Sequence, residues 1–260
     1  MIGTKKSHPS TFTLDAPSEE LSNFFNEFGY LIFPEFLKAE HLEAINKELD
    51  EHFKPFWEHA LEEARGSNSR KTFECDVIPW HPLDDDNQIF IDLLQNAELN
   101  KITREVLGDG FIAKACLVMY AVGGGKGQAW HQDCPDEVKD AFNLNRLIYT
   151  QDVRHEDGAL VFVPGSHKMG RIPPGEAQAP IGGEVALCPK AGTLALLHGH
   201  VYHRVTHNLN QKPRTSVNYR AYPKGIDPSV NCIGVYRNGS VNFCDTPKYH
   251  DGTPVMDGKL

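Results

Sequence analysis

Beyond Phe111 the apolar residues of this chain stop recurring at helical spacing and gather into short β-rich runs parted by glycine and proline. The runs are Ile112 to Val122, Arg146 to Val153, Leu160 to Val163, Gly183 to Ala186, Thr193 to Thr206 and Arg214 to Tyr222. Several short strands at such intervals close into a sandwich or barrel. The first ~110 residues follow a different period. Leu21, Phe24, Phe25 and Phe28 share one helical face that Gly29 ends, and Tyr30 to Phe33 follow as a short buried strand. A second helix is expected from about Ala39 to Glu63, kinked or broken at Pro55. A third is expected from about Asn87 to Leu107, stopped by Gly108. Residues 66–88 carry loop signals, and Asp84, Asp85 and Asp86 among them are expected on a solvated surface.

No repeat, linker or composition shift divides the 260 residues. The expectation is one domain over 1–260, mainly β, with a helical part at about 15–108 packed outside a β core at about 111–225. A net charge of −9 opposes nucleic acid as a partner, because a phosphate-binding surface needs a basic excess. No apolar run approaches the ~20 residues of a membrane span, and no apolar stretch follows Lys5 and Lys6 as in a secretory leader. A cytoplasmic location is therefore expected. The six cysteines are scattered without a C-x-x-C pair, as expected of reduced structural thiols.

Chemistry concentrates in two places. Trp130-His131-Gln132-Asp133 would put His131 and Asp133 on one face of a strand, able to converge on a metal ion. Downstream, His198, His200, His203 and His207 cluster, followed by Arg214. Two histidines with one carboxylate form the facial triad that holds Fe(II) and leaves adjacent positions open for a 2-oxo acid and dioxygen. A hairpin centred between Asn210 and Gln211 would pair Arg214 with His207. It would set Arg214 on the face of His203, ~13 Å away at ~3.3 Å per residue. A guanidinium there suits a second carboxylate, which its fork binds bidentately. Spacing alone leaves His198, His200 and His207 open as the second imidazole. The glycine run Gly123 to Gly127 fails as a phosphate loop, because Gly127 stands where Ser or Thr is needed. It is expected to be a flexible loop at the mouth of the site. His167 is expected to shape a turn, and Trp130 and Cys134 to point away from the metal. Asp136, Glu137 and Arg146 are near enough in sequence to face a substrate.

Four segments together resemble the phytanoyl-CoA dioxygenase-like family of Fe(II)/2-oxoglutarate oxygenases. They are Phe28-Gly29-Tyr30 through Leu37, His131-Gln132-Asp133, Asp157-Gly158 through Ser166-His167, and His203 with Asn208 five and Arg214 eleven residues on. The resemblance implies a double-stranded β-helix, or jelly roll, with helices outside. It implies His131, Asp133 and His203 as iron ligands and Arg214 as the anchor of 2-oxoglutarate. Iron, 2-oxoglutarate and dioxygen would then oxidise a small molecule, with succinate and carbon dioxide as co-products. An amino-acid derivative, phosphonate or natural-product intermediate is favoured over a CoA thioester. Many relatives carry a polar residue two positions after the distal histidine, where this chain has Val205. The partner of the near carboxylate is therefore open, with Lys114, Gln128 and Thr150 as candidates. Two other readings remain at this point: a cupin-like metalloenzyme that does not use 2-oxoglutarate, and a non-catalytic metal-binding module.

Overall fold

The computed structural model describes residues 9–66, 77–134, 142–170 and 178–227, with two short strands beyond. Four helices precede most of the sheet: α1 (Ser18–Phe28), α2 (Ala39–Gly66), α3 (Gln88–Leu94) and α4 (Ala97–Leu107). Between them lie β1 (Tyr30–Phe33) and β2 (Val77–Trp80). There follow β3 (Ile112–Ala121), β4 (Gln128–His131), β5 (Leu144–Tyr149), β6 (Leu160–Phe162) and β7 (Val185–Leu187). The core ends with β8 (Leu194–His198), β9 (His203–Val205) and β10 (Arg214–Tyr222), and β11 (Tyr249–His250) pairs with β12 (Thr253–Pro254). A six-stranded sheet runs β1-β8-β5-β10-β3-β2 and a four-stranded one β4-β9-β6-β7, every pair antiparallel. This is a jelly roll, as the strand spacing and the resemblance had implied.

Side-chain alternation explains the layering. Leu31 and Phe33 of β1, Leu144 and Ile148 of β5, Leu194 and Leu196 of β8, and Val217, Tyr219 and Ala221 of β10 form one apolar cluster. The helices complete it with Leu21, Phe25, Ile45, Leu49, Leu99 and Ile102. The opposite parity of β10 (Arg214, Ser216, Asn218, Arg220) faces a cavity lined by both sheets. Covering the outer face with helices thus places the polar half of this strand inside the roll.

The structure corrects several boundaries. Pro55 sits within α2 and does not end it. Both Pro55 and Glu51, whose carbonyl loses its donor, are exposed, so water can satisfy that carbonyl. The expected loop at 66–88 contains β2, whose Pro79 is tolerated because β2 is an edge strand. Asp84, Asp85 and Asp86 are exposed as expected, and Asp85 accepts from the Trp80 indole at 2.7 Å. The third helix is two, because Asn96 caps α4 through a hydrogen bond from the Leu99 amide to its side-chain oxygen (2.9 Å). Replacing that cap (Asn96→Ala) is expected to cost about 1 kcal/mol. In a thermal melt this appears as a fall of roughly 2–4 °C. Residues 193–206 do not form one strand: β8 and β9 belong to different sheets, and the chain crosses between them at 199–202.

Candidate metal centre and its cavity

His131 ends β4, His203 opens β9, and the two are register partners. Between this pair and the next, Gln128 with Val205, the register shifts: three residues of β4 oppose two of β9. The bulge lets Gln128 and His131 both line the cavity, although they are three residues apart. Trp130 takes the outer side, stacked on Tyr202 at 5.1 Å between ring centroids, and its indole donates to the Ala179 carbonyl at 2.8 Å. It thus points away from the cavity, as expected.

Asp133 does not share a strand with His131, contrary to expectation, because β4 stops at His131. The aspartate follows in a bend whose amide donates to the Gly199 carbonyl at 2.8 Å, tying it to the crossing between β8 and β9. Convergence survives the change. His131 Nε2 lies 3.5 Å from Asp133 Oδ1, and His203 Nε2 lies 3.9 Å from Oδ2. One potential ligand atom from each residue falls within 4.8 Å of the others. Nδ1 of His131 is 2.7 Å from the Ala129 carbonyl, and Nδ1 of His203 is 2.9 Å from that of Val201. A carbonyl only accepts, so each Nδ1 carries the proton and each Nε2 presents its lone pair to the centre. Burial alone would raise the Asp133 carboxyl, but the Arg220 charge, joined by the two imidazoles whenever they are protonated, holds it well below the usual carboxylate range. Two neutral imidazoles and one anionic carboxylate suit Fe(II) and leave the open side toward the cavity.

The cavity holds about 780 Å³ including its mouth. Arg214 lines it, at the start of β10 opposite Ala121 of β3. The expected hairpin with His207 does not form, since β9 and β10 lie in different sheets. Arg214 reaches the cavity from the six-stranded wall. Its guanidinium is buried, its Nε has no hydrogen-bond partner, and no carboxylate pairs with it among the described residues. Beside it on the sheet, Ser216 is a register partner of Tyr149. The Ser216 hydroxyl is buried without a partner, and Tyr149 lines the same cavity. Burial pushes the Tyr149 phenol up to about 12, with Arg214 opposing the shift, so it remains a hydroxyl donor. Three donors therefore meet where an anion would complete them.

The other expected residues are distributed as follows. Gln128 lines the cavity, with its backbone carbonyl held by the Gln178 side chain at 3.0 Å. Lys114 is exposed on β3, and Thr150 is buried just past β5, its carbonyl accepting from Asn46; neither lines the cavity. His198 is packed among Phe25, Phe142 and His167, where burial pushes its imidazole down to about 2. His200 and His207 also lie outside the cavity lining, and His207 is exposed. His167 sits in the 3-10 turn Ser166–Lys168, near the Asn26 carbonyl. Arg146 does not face a substrate. It is buried behind β5, donating to the Tyr219 carbonyl (2.9 Å) and the Thr103 hydroxyl (3.1 Å), because its parity is that of Leu144 and Ile148. Asp136 and Glu137 lie outside the described residues. The glycine run is bound to the turn beyond β9: the Gly124 amide donates to Asn210 and the Asn208 amide to Gly125.

Sequence reasoning missed Tyr149, Ser216, Asn145, Asn218 and Arg220. The available signal was period-two counting from Arg214, which puts residues 216, 218 and 220 on its face. Asn145 donates to Asp133 Oδ2 at 2.8 Å, and Arg220 reaches the same oxygen at 3.2 Å.

A jelly roll with two histidines and an aspartate converging on its cavity defines a class, the mononuclear non-haem iron dioxygenases that use 2-oxoglutarate. Within that class, the family model described as Phytanoyl-CoA dioxygenase (PhyH) matches residues 25–216, and the chain belongs to this family. Dioxygenase olcK of Penicillium canescens is 26% identical over 240 residues, covering 86% of this chain and 76% of the relative. The ectoine dioxygenase of Halomonas elongata is 27% identical over 156 residues; the match covers 56% of this chain but only 44% of that protein. Among solved structures, HygX of Streptomyces hygroscopicus with nickel, 2-oxoglutarate and hygromycin B aligns with a TM-score of 0.59 at 16% identity. That alignment covers 80% of this chain and 88% of HygX. The 2-oxoglutarate-dependent epimerase SnoN of nogalamycin biosynthesis aligns with a TM-score of 0.59 at 18% identity, covering 79% and 83%. Among the described residues, no helix is long and apolar enough to cross a membrane.

Proposed function

We propose that the chain is one oxygenase domain that hydroxylates a small-molecule metabolite at the expense of 2-oxoglutarate, which leaves as succinate and carbon dioxide. His131, Asp133 and His203 hold Fe(II), and Arg214 pairs with the far carboxylate of 2-oxoglutarate, assisted by Tyr149 and Ser216. The observation that carries this reading is the buried Arg214 guanidinium, which lacks a carboxylate partner among the described residues and opens on the same cavity as the triad. A buried cation is costly until an anion completes it, so a dicarboxylate co-substrate answers both needs.

Bound iron supplies dioxygen activation coupled to decarboxylation of the 2-oxo acid. The protein's own part is positional. Arg214 fixes the far carboxylate, which orients the 2-oxo end toward the triad. Leu147, Leu160 and Leu197 keep the inner wall dry. Val77, Met119, Ala121 and Val122 leave a mainly apolar wall for the substrate, and Gln128, which lines the same cavity, is the candidate partner of the near carboxylate. One relative is an ectoine dioxygenase and HygX is seen with hygromycin B bound, which supports a small molecule as the substrate class.

Anaerobic addition of Fe(II) and then 2-oxoglutarate is expected to produce a visible metal-to-ligand charge-transfer band saturating near one equivalent. Small metabolites would then be screened for stimulated succinate release. Bound iron without the band would reject 2-oxoglutarate as co-substrate and favour a metalloenzyme that does not use it.

A further inference from the structure

Asp133 has two oxygens, and their surroundings differ. Oδ1 is the nearer to His131 Nε2, at 3.5 Å, and Oδ2 the nearer to His203 Nε2, at 3.9 Å. Oδ2 accepts from the Asn145 amide at 2.8 Å and from an Arg220 terminal nitrogen at 3.2 Å. The Asn145 amide cannot be turned the other way without loss, because its orientation is set by a chain of bonds. The backbone N–H of Arg146, which only donates, points at Asn218 Oδ1 (3.2 Å). Asn218 must then present its NH₂, which donates to Asn145 Oδ1 at 2.9 Å. Asn145 in turn must present its own NH₂ to Asp133. A main-chain donor on β5 thus dictates the polarity of two side-chain amides and ends on one oxygen of the carboxylate. Arg220 reaches the same oxygen from β10.

We propose that Arg220 and Asn145 are positioning residues that hold Asp133 Oδ2 off the metal, so that the carboxylate coordinates through Oδ1 alone. This rests on the ligand assignment of the preceding subsection and deepens it. A carboxylate free to rotate can close on a divalent ion with both oxygens and occupy a position a 2-oxo acid or dioxygen needs. With two donors on Oδ2, bidentate closure breaks two charge-assisted hydrogen bonds in a buried site.

The test uses Co(II) alone, bound anaerobically to the full chain and read by visible absorption, whose intensity falls as coordination number rises. Outer hydrogen bonds of this kind govern metal affinity by roughly 10–100-fold, so Arg220→Met is expected to weaken Co(II) binding by about tenfold or more. Its bands should also weaken as Asp133 becomes bidentate. Arg220→Lys keeps the charge without the planar fork and should recover part of both losses. Asn218→Ala touches neither Asp133 nor the metal, yet should move the spectrum the same way, though less, by removing the donor that braces the Asn145 amide against Asp133. A merely structural role would lower the melting temperature and leave the spectrum of bound Co(II) unchanged. Should Arg220→Met fail to fold, Asn145→Ala, which removes the other donor, decides. Wild-type affinity and an unchanged spectrum in the folded variants would overturn the proposal while leaving the function intact. A missing 2-oxoglutarate band in wild-type protein that binds Co(II) and Fe(II) normally would instead sink the co-substrate reading alone. Failure of the wild-type chain to bind either metal would overturn both.

Discussion

Arg214→Leu is expected to bind Fe(II) as the wild-type chain does and to lose 2-oxoglutarate. Truncating one partner of a buried, hydrogen-bonded charge pair costs about 2–5 kcal/mol, which is about 30- to 4,000-fold in affinity. The charge-transfer titration measures it: the variant's band should remain far from saturation at concentrations that saturate wild type. The same substitution has an opposite expected effect on the free protein. Arg214 lies buried with an unpartnered Nε and no carboxylate of the described residues to balance it. Leucine in its place removes an uncompensated charge, so the melting temperature without ligand should hold or rise. Saturating 2-oxoglutarate should raise the melting temperature of wild type only. Retention of 2-oxoglutarate affinity by Arg214→Leu would place the anchor elsewhere.

The second large effect is expected at Gly127. Its φ of +75° lies in the left-handed region, and a Cβ built on it would stand 2.3 Å from the Val205 carbonyl oxygen and 2.4 Å from that of Thr206. Neither oxygen can retreat, because Val205 is paired to Leu160 and the Thr206 amide donates to Ala159. Gly127→Val should therefore push the start of β4 off β9 and spoil the opposition of His131 and His203. A cost of about 3–5 kcal/mol follows from the clash and the backbone strain together. That corresponds to a fall of roughly 6–20 °C in melting temperature. Metal affinity should fall with it. Gly124, in the same loop with nearly the same φ (+75°), is the internal comparison, because its Cβ would meet nothing within 4 Å. Gly124→Ala should cost only the left-handed penalty of about 1–2 kcal/mol and leave metal binding intact. Equal losses at the two positions would mean that the loop's conformation matters and its close approach to β9 does not.

Much of the fold was legible because two periods are written plainly in the chain. The α1 face ending at Gly29 and the nine-residue β10 stand where the pattern puts them. What failed were elements too short to show a period. β2 is four residues containing a proline, and β4, expected to run on to Asp133, is four residues that stop at His131. The stretch from Thr193 to Thr206 gave no sign that the chain leaves one sheet for the other, because both strands are short and buried alike. The site divides in the same way. The H-x-D pair and Arg214 announce themselves by residue type and spacing, and His203 is singled out among its neighbouring histidines by the family resemblance. Asn145, Asn218 and Arg220 do not, because alternating polar residues in a strand ordinarily read as a solvent face. Here helices cover the apolar face, and the polar one looks into the roll. Proximity also chose the wrong member of a pair: Arg146 seemed to face substrate, whereas strand parity turns it to the helices and gives the cavity its neighbour Asn145.

The polar face of β10 has one more consequence. Arg214 and Asn218 stand on a single strand, four residues and ~13 Å apart. On the proposed reading Arg214 would mark the far end of the co-substrate, and Asn218, through Asn145, would steady the Asp133 carboxylate beside its other end. The strand would then be a ruler. An acid with one methylene more or fewer would meet a wall whose two marks cannot move independently, so co-substrate length would be gauged by backbone geometry.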